Sequence, residues 1–461
     1  METALNYNLT DERRSLKAEG EAKATLDEKY LTLAPESGET LLFAYTDITG
    51  ILEEDYQITL YLSSRETLNL SGLGYRYEDF LRELFRLRNE LLLKYMLMDE
   101  TLLQAGYGAQ FRWLNQKGQV VQLGDCEVRL YETALLVLPQ KGEPIRQPYS
   151  FITQTGKADY RLTVTDESGE KVEFSMLGEK FDALSKGLAD ALNRMMLRSQ
   201  ATVKELVPEA NPATVSKLAA LMKDGRAARR KDMDALSPEL WLRLTKRIQE
   251  AGLGEEYSFL DAMAVKDEVS AGVKRGLMGD LTGSYVWLLV PLQRTGQTKL
   301  ENAVALEAFQ IDEDNAQERE IGAEAAENGD TQTADEAGKA ASGKATYFFR
   351  IMNPTAYAQA TAENASNELE SFLKSVNRCM VDINFRREPI YLTEDALASP
   401  KYVQYRYAVA KLPSLQKLRR QFIGRVIHTS PEQWKRDVTS LLAFNANSKD
   451  DHAKWTKGAE K

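Results

Sequence analysis

Between Tyr56 and Leu60 the chain alternates, with Tyr56, Ile58 and Leu60 apolar and Gln57 and Thr59 polar. A period of two buries one face of a strand and leaves the other to water. The same alternation returns at Tyr160, Leu162 and Val164 around Arg161 and Thr163. A polar turn follows each run, "SSRE" in one place and "ESGE" in the other, and then a second alternating strand, Leu68 and Leu70 matched by Val172 and Phe174. Both stretches next pass a Leu-Gly and change to helical spacing. The apolar stripe is Tyr77, Phe80, Leu84 and Leu91 in the first and Phe181, Leu184, Leu188 and Met195 in the second. The pattern predicts several antiparallel strands capped by one C-terminal amphipathic helix, written twice.

Sliding the chain by 104 residues aligns the two stretches without a gap, and residues 20–84 and 124–188 share 19 identities in 65 positions. "LAPESGE" at 33–39 faces "VLPQKGE" at 137–143, so Pro35/Pro139, Gly38/Gly142 and Glu39/Glu143 punctuate one loop used twice. Tyr45/Tyr149, Ile48/Ile152, Asp55/Asp159 and Tyr56/Tyr160 also coincide. A repeat of this kind decides architecture before any motif does.

About 100 residues of short strands ending in one amphipathic helix resemble the pleckstrin-homology-like superfold, which includes GRAM domains and the tandem modules of histone-chaperone middle domains. "CEVRLYETALLVLPQKGEPIRQPYSFI" is similar to the strand, turn, Leu/Val-rich strand and "ipYsdI" pattern of these families, and the first copy ends the same stretch with "AYTDI". The resemblance covers residues 15–205 and implies an α+β chain of tandem PH-like β-barrels or sandwiches, each closed by its helix. It also implies binding of peptides beside the closing helix, or of phosphoinositides through basic early loops. "APESGET" and "LPQKGEP" supply no Lys/Arg cluster, so membrane phosphoinositide is disfavoured as a partner.

The expected organisation is copy 1 at 1–105, copy 2 at 106–205 and a helical connector at 206–255, with Asn211 and Ser237 in N-cap positions. Strands "SYVWLLVPLQ", "NAVALEAFQI" and "ATYFFRIM" follow. Leu369, Phe372, Leu373, Val376 and Met380 then fall at helical spacing, which predicts a third, diverged PH-like domain at 256–390. Residues 391–461 are read as a helical C-terminal arm with a frayed tail.

Charge changes the picture because it is not spread evenly. Of the net charge of −10, the stretch Ile311–Ala345 carries −7, with ten acidic and three basic residues. Such a composition predicts a disordered acidic insertion at 312–344, either a solvating loop or a docking tail for a basic partner. No apolar run reaches the ~20 residues of a membrane span. The N-terminal sequence lacks the apolar core of a secretory signal, and Cys126 and Cys379 are too few for a disulfide framework, so a cytoplasmic location is expected.

Candidate chemistry is sparse. Phosphate-loop, zinc-protease and nucleophile-elbow motifs are missing, and His428 and His452 are the only histidines. "RGLMGDLTGSY" at 275–285 precedes a strand rather than a helix and reads as a hairpin turn. Glu53–Asp55 reads as turn chemistry because Asp55 recurs as Asp159. The chain is therefore expected not to be an enzyme and to need no cofactor or metal. It reads as an interaction or scaffold protein with protein partners. The alternative is a nucleic-acid or nucleoprotein binder that meets phosphates through Arg226, Arg229, Arg230 and Lys231 and through Lys417, Arg419 and Arg420.

Overall fold

The computed structural model describes residues 1–96, 100–275, 284–293, 300–310 and 345–456. The chain is α+β and divides into two compact units, Met1–Leu192 with Ala398–Tyr407 and Asn193–Leu397 with Ala408–Lys461. Most of the acidic stretch and of "RGLMGDLTGSY" lies outside the described residues. Among the described residues no helix is long and apolar enough to cross a membrane.

The first unit contains the repeat. Module 1 has β1 (Glu2–Thr10), β2 (Leu16–Leu26), β3 (Tyr30–Pro35), β4 (Leu41–Ala44), β5 (Ile48–Glu54), β6 (Gln57–Leu62) and β7 (Thr67–Ser71), followed by helix α1 (Tyr77–Met96). Module 2 has β8 (Leu102–Leu114), β9 (Val120–Tyr131), β10 (Ala134–Pro139), β11 (Ile145–Pro148), β12 (Ile152–Ala158), β13 (Arg161–Asp166) and β14 (Lys171–Ser175), followed by α2 (Phe181–Leu206). Each set forms a seven-stranded sheet, in the order β4-β3-β2-β1-β7-β6-β5 and β11-β10-β9-β8-β14-β13-β12. All neighbouring strands in both are antiparallel.

The period of 104 holds to the residue from β3 through β7, and so does the local chemistry. Asp55–Tyr56 and Asp159–Tyr160 are two-residue hairpin loops with positive φ at both positions, the geometry whose twist matches the flanking strands. The Tyr45 hydroxyl donates to the Asp27 carbonyl (2.9 Å) and the Tyr149 hydroxyl to the Tyr131 carbonyl (3.0 Å), again 104 residues apart. In module 1 the expected inward residues Ile58, Leu60, Leu68 and Leu70 form one core with Phe80 and Leu84 of α1, whereas Tyr56 and Tyr160, expected on the same buried face, are exposed because the hairpin loop takes them out of the strand.

The second unit is built on a six-stranded antiparallel sheet. Its strands are β15 (Ala228–Arg229), β16 (Ser270–Arg275), β17 (Ser284–Gln293), β18 (Leu300–Gln310), β19 (Ala345–Phe349) and β20 (Phe422–Ile427), each beside the next in sequence. That meander differs from the order shared by the two modules. The expected boundaries at 255/256 and 390/391 fall inside this unit, because the connector contributes β15 and the C-terminal arm contributes β20. "FIGRVI", expected to be helical, is a strand: Ile and Val favour the pleated surface, Gly424 weakens a helix, and pairing with β19 decides.

The helix Ala362–Asp382 buries all five expected residues, Leu369, Phe372, Leu373, Val376 and Met380, and is capped by Thr361, whose hydroxyl accepts from the Asn364 amide. Asn211 caps its helix by accepting from the Thr214 amide (2.9 Å), whereas Ser237 holds the N-cap position without a side-chain cap bond.

Candidate interaction surface

Within the first unit the loop that drew attention in the sequence does different work in its two copies. In module 2, "LPQKGEP" is a clasp onto module 1. Lys141 Nζ pairs with Glu53 (2.9 Å) and Glu78 (3.2 Å), and the Gly142 carbonyl accepts from the Asn89 side chain (2.9 Å). Glu143 meets Arg88 at 2.9 Å. Arg88 lies one turn beyond Leu84 on the apolar stripe of α1 and is fully buried, so Glu143 supplies a counter-charge to a desolvated cation. Its Nη2 also donates to the Ile48 carbonyl (2.9 Å). Burial opposes the charge on Lys141, but its hydrogen bonds to the two glutamates outweigh that and raise its pKa.

Beyond the clasp, Leu93 of α1 packs on Tyr131, Leu136 and Leu138 of module 2, and Arg129 bonds Glu90 in a two-pronged pair at 3.0 and 2.6 Å. Arg146 pairs with Glu100 (3.1 Å) where both side chains are nearly inaccessible. Every residue of β10 and β11 is buried.

The equivalent surface of module 1 is open. Positions Tyr131, Leu136, Leu138 and Arg146 become Asp27, Thr32, Ala34 and Leu42, and Lys141 becomes Ser37. Residues Glu36–Thr40 are exposed, and so are Tyr30 of β3 and Leu42 of β4. β4 is the terminal strand of its sheet and reads "LLFA", without the charge or proline that usually protects an edge. Its counterpart β11, "IRQP", carries both.

The basic residues singled out from sequence are largely engaged within the second unit. Arg229 pairs with Asp232 (2.9 Å) and Glu268 (3.7 Å), Arg230 with Asp234 (3.2 Å), and Lys231 with Glu268 (2.5 Å). Arg226 is partly buried beside them in sequence. Arg419 is buried, donating to the Pro389 carbonyl (2.7 Å) and pairing with Glu394 (2.7 Å), while Lys417 donates to Ser375 (2.9 Å). Arg420 is exposed. The two groups therefore do not present an uncompensated row of cations.

His428 Nε2 lies 3.0 Å from Glu307 and 3.1 Å from the Thr346 hydroxyl, and Nδ1 lies 3.6 Å from Glu256. The set has the residue types of a Thr-His-Glu triad, but Thr346 is 0% exposed, and its hydroxyl donates to Glu307 and accepts from the Trp434 indole. These groups form a buried polar network in the second unit. A cleft of about 720 Å³ in the first unit is lined by Arg86, Glu90, Lys94, Glu100, Leu93 and Tyr131, yet Glu90 and Glu100 are already committed to Arg129 and Arg146. Among the described residues no group of His, Cys, Asp and Glu is arranged to hold a metal ion. Cys126 and Cys379 are both free and buried, and burial pushes the Cys126 thiol up to about 12.

Neither a protein-family model nor a curated protein matches this sequence. Among solved structures, a chain from the structure of the Spt16D Pob3N heterodimer is similar at 17% identity, over 36% of this chain and 83% of that one, with a TM-score of 0.14. A likeness of that size carries no argument about partner or role.

Proposed function

We propose that this protein is a non-enzymatic, cytoplasmic interaction scaffold whose two repeated modules are pleckstrin-homology-like domains, and that it takes a protein partner along the open edge of module 1. The observation that carries this reading is the asymmetry between equivalent surfaces. The loop of module 2 is consumed by the clasp and its edge strand is buried, whereas Leu42 of β4 and Glu36–Thr40 of module 1 stay exposed on an edge without charge or proline. An extended segment adding to β4 would gain main-chain hydrogen bonds, with Tyr30 and Leu42 offering side-chain contact. Glu36 and Glu39 favour a partner strand that carries Lys or Arg.

The nucleic-acid alternative has less support, because Arg229, Arg230 and Lys231 each hold a local carboxylate. The test is to identify a protein that co-purifies with the native chain and titrate it against wild type, Leu42→Lys and Glu39→Lys. Leu42 is 64% exposed, so its replacement leaves the core intact. The expected result is saturable binding weakened about tenfold or more by Leu42→Lys, as when a central apolar contact is lost. Binding indifferent to both substitutions would reject the site.

A further inference from the structure

One face of the second unit gathers cations that the linear sequence keeps far apart. Tyr347 of β19 stands directly opposite Arg425 of β20. The ring of Tyr347 lies 5.7 Å from that of Tyr391 and 6.5 Å from that of Phe422. A cation is seated on each ring: Arg387 over Tyr347 at 5.5 Å, Arg425 over Tyr391 at 4.2 Å and Lys454 over Phe422 at 5.8 Å. Among the described residues none of the three has a carboxylate within ion-pair distance, unlike Arg229, Arg230, Lys231 or Arg419 in the same unit. Arg387 Nη1 is buried and finds no hydrogen-bond acceptor among the described residues. A guanidinium donor held dry and unmet is costly unless something else accepts from it.

We propose that Arg387, Arg425 and Lys454, on the floor of Tyr347, Tyr391 and Phe422, form a binding site for a phosphate monoester. The charge count supports the dianion. Arg387 and Arg425 stand against Glu388, the carboxylate whose field reaches both tyrosines, and Lys454 stands beside the Arg419–Glu394 pair, so the six groups together leave a balance of +2. The nearby Arg419 is cancelled by Glu394, and Glu307 is taken by His428. A phosphate monoester carries about −1.5 to −2 at neutral pH and presents three acceptor oxygens, which suits two guanidinium forks and an ammonium. The aromatic rings hold the guanidinium planes in place before the ligand arrives, so less freedom is lost on binding. Arg387, Tyr391 and Arg425 are half-buried, which leaves the site reachable. The same oxyanion comes from a free phosphate metabolite or from a phosphorylated side chain.

The full chain is titrated calorimetrically at low salt and pH 7.5 with inorganic phosphate, a phosphotyrosine peptide, a phosphoserine peptide and acetate. Saturable binding of phosphate-bearing probes is expected. Arg387→Gln and Arg425→Gln should each weaken it about tenfold or more, while Lys246→Gln, on an exposed side chain of the helix Pro238–Glu250, changes it less than about twofold. Arg425→Lys, which keeps the charge but loses the fork and its stacking on Tyr391, should bind between wild type and Arg425→Gln, with circular dichroism confirming the fold of each variant. Affinity should fall as pH drops through the second ionisation of phosphate near 6. Tighter binding of a phosphopeptide assigns the ligand to a modified protein, and equal binding assigns it to a free metabolite; both uphold the site. It is overturned if phosphate does not bind saturably, if acetate binds equally well, if both Gln variants bind as wild type, or if an oligonucleotide lacking a terminal phosphate binds more tightly.

Discussion

At the scale of single residues, the two modules are each other's control. Three left-handed positions hold glycine in one copy and a side chain in the other: Gly72 against Met176, Gly169 against Arg65, and Gly118 against Arg14. A side chain at positive φ costs roughly 1–2 kcal/mol, because Cβ crowds the following carbonyl. Met176 has φ +57 and is 78% exposed, so it pays that cost without packing in return. Met176→Gly should raise stability by about 0.5–1 kcal/mol, after allowing for the greater freedom of glycine in the unfolded chain. Gly72→Ala should lower it, since its Cβ would meet Asn6 Nδ2 at 2.9 Å. Urea midpoints of the two variants check both signs. Tyr56 and Tyr160 also sit at positive φ, yet each rests edge-on against an aromatic ring of the following helix, Tyr77 at 5.5 Å and Phe181 at 6.2 Å. The recurrence of Asp-Tyr was visible in the sequence as turn chemistry; the ring that compensates the strain was not.

Among elements, one loop read twice has opposite fates. Glu143 and Glu39 are identical residues in equivalent positions, but only Glu143 faces a buried arginine. Glu143→Gln should destabilise the first unit by about 2 kcal/mol, the cost of weakening the partner of a desolvated charge, and Glu39→Gln by less than about 0.5 kcal/mol. Chemical denaturation of the two variants side by side measures the difference. The asymmetry also explains why the modules do not propagate head to tail by this contact. In α2 the position of Arg88 is Leu192, and Glu53 becomes Lys157, so a second clasp of the same kind has neither its buried cation nor its acidic receiver. Substitution between the copies carries that information, but it has meaning only once the loop is seen against α1.

For the whole molecule, each unit holds one buried thiol, Cys126 in the first and Cys379 in the second. Burial raises the pKa of both and shields them from reagents, so neither presents a thiolate to solvent at neutral pH. Native protein should react with a thiol reagent such as DTNB to less than about a tenth of a mole per mole, and fully once unfolded. Cys126→Ala then leaves a thiol that reports opening of the second unit alone, and Cys379→Ala one that reports the first. Rapid reaction of either variant in native buffer would contradict the packing described.

The sequence by itself determined the repeat, its alternating strands through Ile58–Leu70 and Leu162–Phe174, the polar turns between them and the closing helices. These rest on local rules, period two against 3.6 and the punctuation of Gly, Pro and Asp, that read the same in both copies. Tertiary structure decided what no period encodes: that "FIGRVI" completes a sheet begun two hundred residues earlier, and that Tyr347, Arg387, Tyr391, Arg425 and Lys454 share one face. It also decided that "APESGET" stays open while "LPQKGEP" closes. Long-range packing chooses among surfaces that local pattern makes equivalent, and here it separates a clasp from a candidate docking edge.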